Sequence, residues 1–266
     1  MFFWHERRAG IDLAVTDRHG GVSSAPFAGL NLARHVGDEP SSVEVNRARM
    51  AEAIGLAADR LVFMNQCHGA AVEVVEGPWP GDPPACDALI TTATDLALVV
   101  LVADCVPVLL ADPVAGIVGA VHAGRPGMVA NVVGATLDAM ADLGARAPYA
   151  VVGPSVCGRC YEVPAAMRAA AAAVEPISAT LSWTGTPAID VGAGVVAQLS
   201  DRGVPLTWVP GCTREDDRLF SYRRSTPTGR FAGVIRRYAV DPTAEAGGEL
   251  TAYPFDGPTH GGQGAR

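Results

Sequence analysis

The chain predicts a single α/β domain, and three observations carry that prediction. At 266 residues, 49% of them hydrophobic and 18% charged, it can bury one large core and lies near the upper size of a single domain. Near-continuous apolar runs of strand length recur along it, as expected where a strand is covered on both faces. One of them, ending at His122, passes through Ala123-Gly124-Arg125-Pro126-Gly127 into a helix-period pattern. That is a strand, a glycine-rich turn and a helix in succession.

Taken in order, residues Ser41 to Gly55 read as a helix, because Ser41 and Glu44 match a capping box and Gly55 supplies a stop. At about 100° per residue, Val43, Met50 and Ile54 share one side, and Arg47 falls among them. An inward guanidinium needs a buried carboxylate, a route to the edge, or a ligand. Leu61 to Gly69, Leu96 to Cys105 and Ile117 to Gly124 each read as a buried strand ending in a potential metal ligand. Between the first two lie a Gly/Pro-rich loop, Gly77 to Pro84, and the segment Cys86 to Thr92. A helix is expected from about Met128 to Leu143, with Val129, Val132, Val133, Leu137 and Met140 facing a sheet. Ala150 to Pro154 suggests a strand, and Pro164 to Val174 an alanine-rich helix with proline in its first turn. Pro205 to Cys212 and Phe231 to Val240 are candidate closing strands. The domain is expected over residues 1–242, and the aperiodic Gly-, Pro- and Thr-rich stretch 243–266 as a poorly ordered tail.

Composition narrows the chemistry. A formal charge of -8 argues against nucleic acid as a partner, since nonspecific affinity for it rests on clustered cations. All 20 basic residues are arginine, so Schiff-base catalysis and a P-loop lysine are excluded, and an anion would be held by arginine or backbone amides. The apolar stretch Met1 to Trp4 turns polar at His5, unlike a secretory segment, and the longest apolar run, Leu96 to Ala103, is too short to span a bilayer. A cytoplasmic protein without membrane partners is expected, its six cysteines reduced.

His68, Cys105 and His122, each at the carboxyl end of an apolar run, would converge if the strands are neighbours. Three N/S ligands are what a catalytic zinc site uses, with a fourth position left for water or substrate; the same set suits copper. Singly, each residue is more often core or loop filler. Asp104, directly before Cys105, reads either as a carboxylate turned toward the site for proton traffic or as a turn aspartate. Gly124-Arg125-Pro126-Gly127 before a helix is a weak anion cradle. Cys157-Gly158-Arg159-Cys160 lacks a second pair at zinc-finger spacing and reads as incidental thiols ahead of a redox pair. Arg223, Arg224 and Arg230 form a basic cluster that either binds phosphate or, by slight preference, pairs with Asp216 and Asp217.

Ordered motifs from about Thr16 to Val240 resemble one family. They include Arg18-His19-Gly20-Gly21-Val22-Ser23, Leu30-Asn31-Leu32, Asn46-Arg47, Gln66-Cys67-His68-Gly69, Asp87-Ala88-Leu89-Ile90-Thr91, Ala103-Asp104-Cys105-Val106-Pro107, His122-Ala123-Gly124, and Ser221-Tyr222-Arg223-Arg224 with Thr228-Gly229-Arg230. The chain thereby resembles the laccase-domain, YfiH-like proteins, regarded as zinc-dependent purine nucleoside phosphorylases and long labelled polyphenol oxidases. The resemblance implies a four-layer α-β-β-α fold with mixed sheets, a metal on His68, Cys105 and His122, and substrate-side roles near Asn31 and Arg47. It also implies phosphorolysis of adenosine, inosine and methylthioadenosine, with adenosine deamination alongside. Where the family often has tryptophan and arginine after His-Ala-Gly, this chain has Arg125 and Pro126, which leaves substrate preference open.

The leading expectation is therefore a monomer or small homo-oligomer that binds a purine nucleoside and phosphate at a zinc site. Arg47 is the first candidate for phosphate, with Arg223, Arg224 and Arg230 in reserve. A Cys105-nucleophile amidase acting on a peptidoglycan precursor is the alternative, and copper oxidation ranks below it, because six histidines are too few for a multicopper cluster. A purely structural site would need a fourth ligand, for which Cys67 and Cys86 are the candidates.

Overall fold

The computed structural model of the chain describes residues 1–239, so the expected boundary near 242 and the tail beyond it lie outside the described residues. Its elements in chain order are β1 (Phe2–Arg8), β2 (Ile11–Thr16), α1 (Pro40–Ala53), β3 (Leu61–Phe63), β4 (Val72–Val74), β5 (Ala88–Thr91), β6 (Ala97–Val102), β7 (Val106–Asp112), β8 (Ile117–Ala123), α2 (Arg125–Val129), α3 (Val132–Asp142), β9 (Tyr149–Val152), α4 (Ala165–Val174), β10 (Ala179–Leu181), β11 (Pro187–Ile189), α5 (Val191–Asp201), β12 (Leu206–Trp208) and β13 (Phe231–Arg237).

Two mixed sheets dominate. One has the strand order β1-β2-β13-β6-β3 and the other β12-β9-β7-β8-β5-β4; β10 and β11 form a separate ribbon. In the first sheet only β3 and β6 run parallel, and in the second β12 with β9 and β4 with β5. The sheets face each other across a core that includes Leu13, Val15, Leu98 and Val100 from one, and Leu89, Leu109, Val118 and Val151 from the other. Successive residues of a strand point to opposite faces, so Ala97, Val99 and Leu101 of β6 look outward, where Met50 and Ala51 of α1 and Ile54 just after it cover them. On the far side, Val121 and Ala123 of β8 pack against Val132, Val133, Leu137 and Met140 of α3 and Val191, Val195 and Leu199 of α5. The layers run α-β-β-α. The central strands of the two middle layers, such as β6, β7 and β8, are covered on both faces, which is why their sequences are continuous apolar runs rather than alternating ones.

Several elements differ from the sequence expectations, each for a local reason. Helix α1 starts at Pro40, whose fixed φ suits the first helical position, so Ser41 lies inside the first turn and no capping box forms. Glu44 instead takes the Arg34 guanidinium at 2.7 Å. The helix expected from Met128 to Leu143 is two helices: Asn131 adopts a left-handed φ of 57° and caps α3 by accepting the Gly134 N–H. The run from Leu61 is a strand only to Phe63. Strand β13 is central rather than closing, between β2 and β6. The hairpin β1–β2, strand β7 and helix α5 were not anticipated. Strand β7 carries Pro107, which has no N–H for a ladder, at its second residue, where its carbonyl takes the Gly153 N–H. Helix α5 forms despite the low helix propensity of glycines at 192 and 194, capped by Asp190, which accepts the Ala193 N–H. No helix of the described residues is long and apolar enough to cross a membrane.

Candidate active site

The chain passes from the first sheet to the second between Val102 and Val106, and the candidate site is built around that crossover. The turn is sharp: Asp104 has φ of 99°, a conformation L-residues rarely adopt. Side-chain hydrogen bonds hold it there. Asp104 Oδ1 accepts the hydroxyls of Thr213 and Ser221, each at 2.6 Å, and Oδ2 accepts the Arg223 N–H at 2.7 Å. Of the two readings of Asp104, the carboxylate anchors the turn and ties it to the distant connection between β12 and β13; Cys105 follows on the cavity side.

His68 arrives differently from the way its apolar run suggests. Five residues beyond the end of β3, it is reached through a loop in which the Gln66 amide bonds both the N–H and the carbonyl of Leu101, standing in for a neighbouring strand. The loop ends on Asp87: Oδ1 accepts the His68 N–H at 2.9 Å, and Oδ2 accepts those of Cys67 and Gly69 at 3.2 and 2.6 Å. These contacts hold His68 at φ of 60°. His122 lies within β8, opposite Pro107, and its Nδ1 meets Asp87 Oδ1 at 2.8 Å. A carboxylate only accepts, so Nδ1 carries the proton and Nε2 is left to coordinate. The three residues thus come from the loop after β3, the turn between the two sheets and strand β8, not from neighbouring strands of one sheet.

The ligand atoms of His68, Cys105 and His122 lie within 4.8 Å of one another. His68 Nε2 is 3.9 Å from Cys105 Sγ, close to the ~3.6 Å edge of a tetrahedral zinc site with ordinary bond lengths. The two imidazoles meet edge to face, 4.8 Å between centroids. Gly124 makes room for them: a Cβ there would stand 2.8 Å from His68 Cδ2 and 3.2 Å from Cys105 Sγ. Donor types and spacing fit a metal ion with one corner toward the cavity. Neither Cys67 nor Cys86 joins the group; burial pushes the Cys86 thiol up to about 12. No fourth protein ligand closes the site among the described residues.

The electrostatics are those of groups competing for protons that a cation would displace. Burial disfavours the Cys105 thiolate, but hydrogen bonds and charge from His122 and His68 outweigh it and bring the thiol down to about 6. Burial likewise opposes protonated His122, yet Asp87 and Cys105 raise it to about 9. Asp87 stays below the usual carboxylate range despite burial, through His122 and the Gly69 and His68 N–H groups. Asp87 is the residue of the candidate site that sequence reasoning missed. A signal existed: an aspartate directly before an apolar strand has its carboxyl group buried with the strand and must find donors there.

The site opens into a cavity of about 640 Å³. Arg125, Arg223 and Arg230 line it, with Tyr161 and Tyr222. The Arg223 guanidinium stacks on Tyr161 and donates to the Glu162 carbonyl. Asn31 is fully buried and acts through Arg230, whose N–H it accepts at 2.9 Å. Arg47 is placed elsewhere. It donates to the Leu32 carbonyl, stacks on Phe63 and lines a second depression of about 270 Å³ that shares no residue with the first. Arg224 is also occupied, holding the carbonyls of Thr213, Asp216 and Leu219, and Asp216 pairs with Arg218 rather than with any member of the basic cluster. Cys157 and Cys160 are not isolated thiols: Cys212 and Glu215 join them in a second group of potential ligands.

The family described as multi-copper polyphenol oxidoreductase laccase matches residues 12–238. A purine nucleoside phosphorylase of Streptomyces coelicolor is 54% identical over 230 residues, covering 85% of this chain and 95% of its own length. One from Mycobacterium tuberculosis is 51% identical over 228 residues, 85% of this chain and 91% of its own. Among solved structures, YlmD from Geobacillus stearothermophilus is 30% identical with a TM-score of 0.82, covering 90% of this chain and 99% of its own. A Neisseria meningitidis protein is 28% identical with a TM-score of 0.79, covering 90% and 100%.

Proposed function

Because the chain belongs to the multi-copper polyphenol oxidoreductase laccase family of YfiH-like proteins, we propose that it is a zinc-dependent purine nucleoside phosphorylase acting on adenosine, inosine and methylthioadenosine. The observation that carries the reading is the pairing of a His-Cys-His group with three arginines around one cavity in an acidic protein. Its volume falls within the ~300–1,000 Å³ typical of small-ligand sites, ample for a nucleoside beside phosphate.

Phosphorolysis breaks the bond between the ribose C1′ and the base nitrogen and forms one from C1′ to a phosphate oxygen. Arg125, Arg223 and Arg230 bind the phosphate dianion and orient it toward C1′; Arg230 is presented by Asn31 and Arg223 by Asp104. Tyr161 and Tyr222 supply flat walls against which a purine stacks. When bound, zinc supplies a Lewis acid for a polar atom of the nucleoside. Asp87 keeps the proton of His122 on Nδ1, so the other ring nitrogen faces the site. Deamination of adenosine in the same cavity is proposed as a companion activity. The test is release of the free base from inosine, adenosine or methylthioadenosine by the zinc-loaded chain. Base release that requires phosphate is expected; none from any of the three nucleosides overturns the reading.

A second reading is favoured by one observation, the lowered Cys105 thiol beside two histidines, one of them held by a carboxylate. In it Cys105 is the nucleophile of an amidase on a peptidoglycan precursor. Activity in metal-free protein that is lost on thiol alkylation would support this reading against the first.

A further inference from the structure

The second ligand group lies outside the chemistry proposed above. Cys157 and Cys160 are in the loop between β9 and α4, and Cys212 and Glu215 in the loop after β12. The loops run side by side: Ser155 and Cys212 form a parallel bridge, and the Thr213 N–H donates to the Ser155 carbonyl at 3.1 Å. Each loop then makes a tight turn. The Cys160 N–H bonds the Cys157 carbonyl at 2.9 Å, and the Glu215 N–H bonds that of Cys212 at 3.1 Å, so one turn presents Cys-x-x-Cys and the other Cys-x-x-Glu.

The two turns point at each other. The Cys157 N–H donates to Cys212 Sγ at 3.4 Å, and Cys160 Sγ is 3.4 Å from Glu215 Oε1. One donor atom from each of the four residues lies within 4.8 Å of the other three, comparable with the ~3.8 Å edge of a zinc–sulfur tetrahedron. Cys160 is buried and Cys157 and Cys212 are partly so, while Trp183 Nε1–H orients the carboxylate at 3.2 Å. A redox Cys-x-x-Cys needs only its own two thiols, whereas a closed tetrahedral cation uses all four donors gathered here.

We propose that Cys157, Cys160, Cys212 and Glu215 form a second metal site, closed by four protein ligands, that takes one thiophilic divalent cation, zinc by its donor set, in a structural role. The ion ties together the two loops that form one wall of the cavity. One loop supplies Val156 and Tyr161 to that wall, and the other supplies the Thr213 hydroxyl that holds Asp104. The sequence signal was the turn Cys212-Thr213-Arg214-Glu215, hidden because its fourth position is a carboxylate.

Metal analysis of the full chain purified under reducing conditions tests this. Two zinc equivalents are expected in the wild type, one in Cys157→Ser/Cys160→Ser, and one in His68→Ala/Cys105→Ala. Loading the latter variant with cobalt(II) should give the ligand-field bands of a tetrahedral ion with strong sulfur-to-cobalt charge transfer, and adding Glu215→Cys should strengthen that charge transfer. This second measurement leaves Cys157 and Cys160 in place and stands even if their double variant does not fold. No cobalt bound by His68→Ala/Cys105→Ala, unchanged stoichiometry on losing Cys157 and Cys160, or a disulfide among these three cysteines in the purified chain overturns the proposal.

Discussion

Asp87 and His122 meet through a 2.8 Å hydrogen bond between groups 0% and 2% exposed, and the same carboxylate oxygen accepts the backbone N–H of His68. One buried aspartate therefore orients one candidate ligand ring and fixes the loop carrying another. Asp87→Asn keeps the size but loses the charge and presents an N–H where an acceptor is needed. Metal affinity at the His-Cys-His group is expected to fall about 10- to 100-fold, measured by competition with a chelator. Unchanged affinity would show that the two histidines are held by something else.

Gly124 is conformationally ordinary at φ of -75°, so alanine does not strain its backbone. The added methyl would meet His68 and Cys105 within van der Waals distance. Gly124→Ala should reduce metal bound at this group to well below one equivalent while the thermal midpoint shifts by only a few degrees. A chain that unfolds outright, or that loads metal normally, contradicts the geometry.

The arginines separate by what they touch. Arg223→Ala and Arg125→Ala are expected to raise KM for phosphate about 10- to 100-fold, the loss of one charge-assisted contact each, with little change in melting temperature. Arg224→Ala should do the reverse, because its guanidinium is spent on loop carbonyls. Steady-state kinetics at varied phosphate, beside thermal melts, distinguish the two patterns.

Asp112 ends β7 and accepts four backbone N–H groups, from Val114, Ala115, Arg146 and Ala147. Burial works against its charge, but the four donors outweigh that and hold it below the ordinary value of 3.8. A depressed folded pKa means a contribution to stability that is complete above the unfolded value and lost as pH falls through the folded one. Asp112→Asn should cost about 1–3 kcal/mol at neutral pH, and its deficit should shrink as the pH is lowered below about 4. Denaturant melts of both chains at several pH values check this; a pH-independent deficit contradicts it.

How much was legible depended on whether the signal was local. The inward face of α1 could be read from spacing, and Val43, Arg47, Met50 and Ile54 are all buried there. Spacing did not say what Arg47 does inside, since a carbonyl at Leu32 and a ring at Phe63 satisfy it as well as a ligand would. Position relative to apolar runs identified His68, Cys105 and His122, although only His122 is in a strand. Strand-end reasoning worked for Cys105 because β6 must stop where the chain changes sheets. It worked for His68 only because the Gln66 side chain extends the sheet past the end of β3.

The fold class, the three candidate metal-binding side chains and the arginine-only character of any anion site were readable along the chain, because periodicity, residue type and composition are local properties. Three-dimensional packing was needed to place β13 centrally, to join Asp87 to two of those candidates, and to bring Cys212 and Glu215 to a Cys-x-x-Cys more than fifty residues earlier. Those pairings depend on which segments two packed sheets bring side by side, and no residue's spacing to its chain neighbours encodes that.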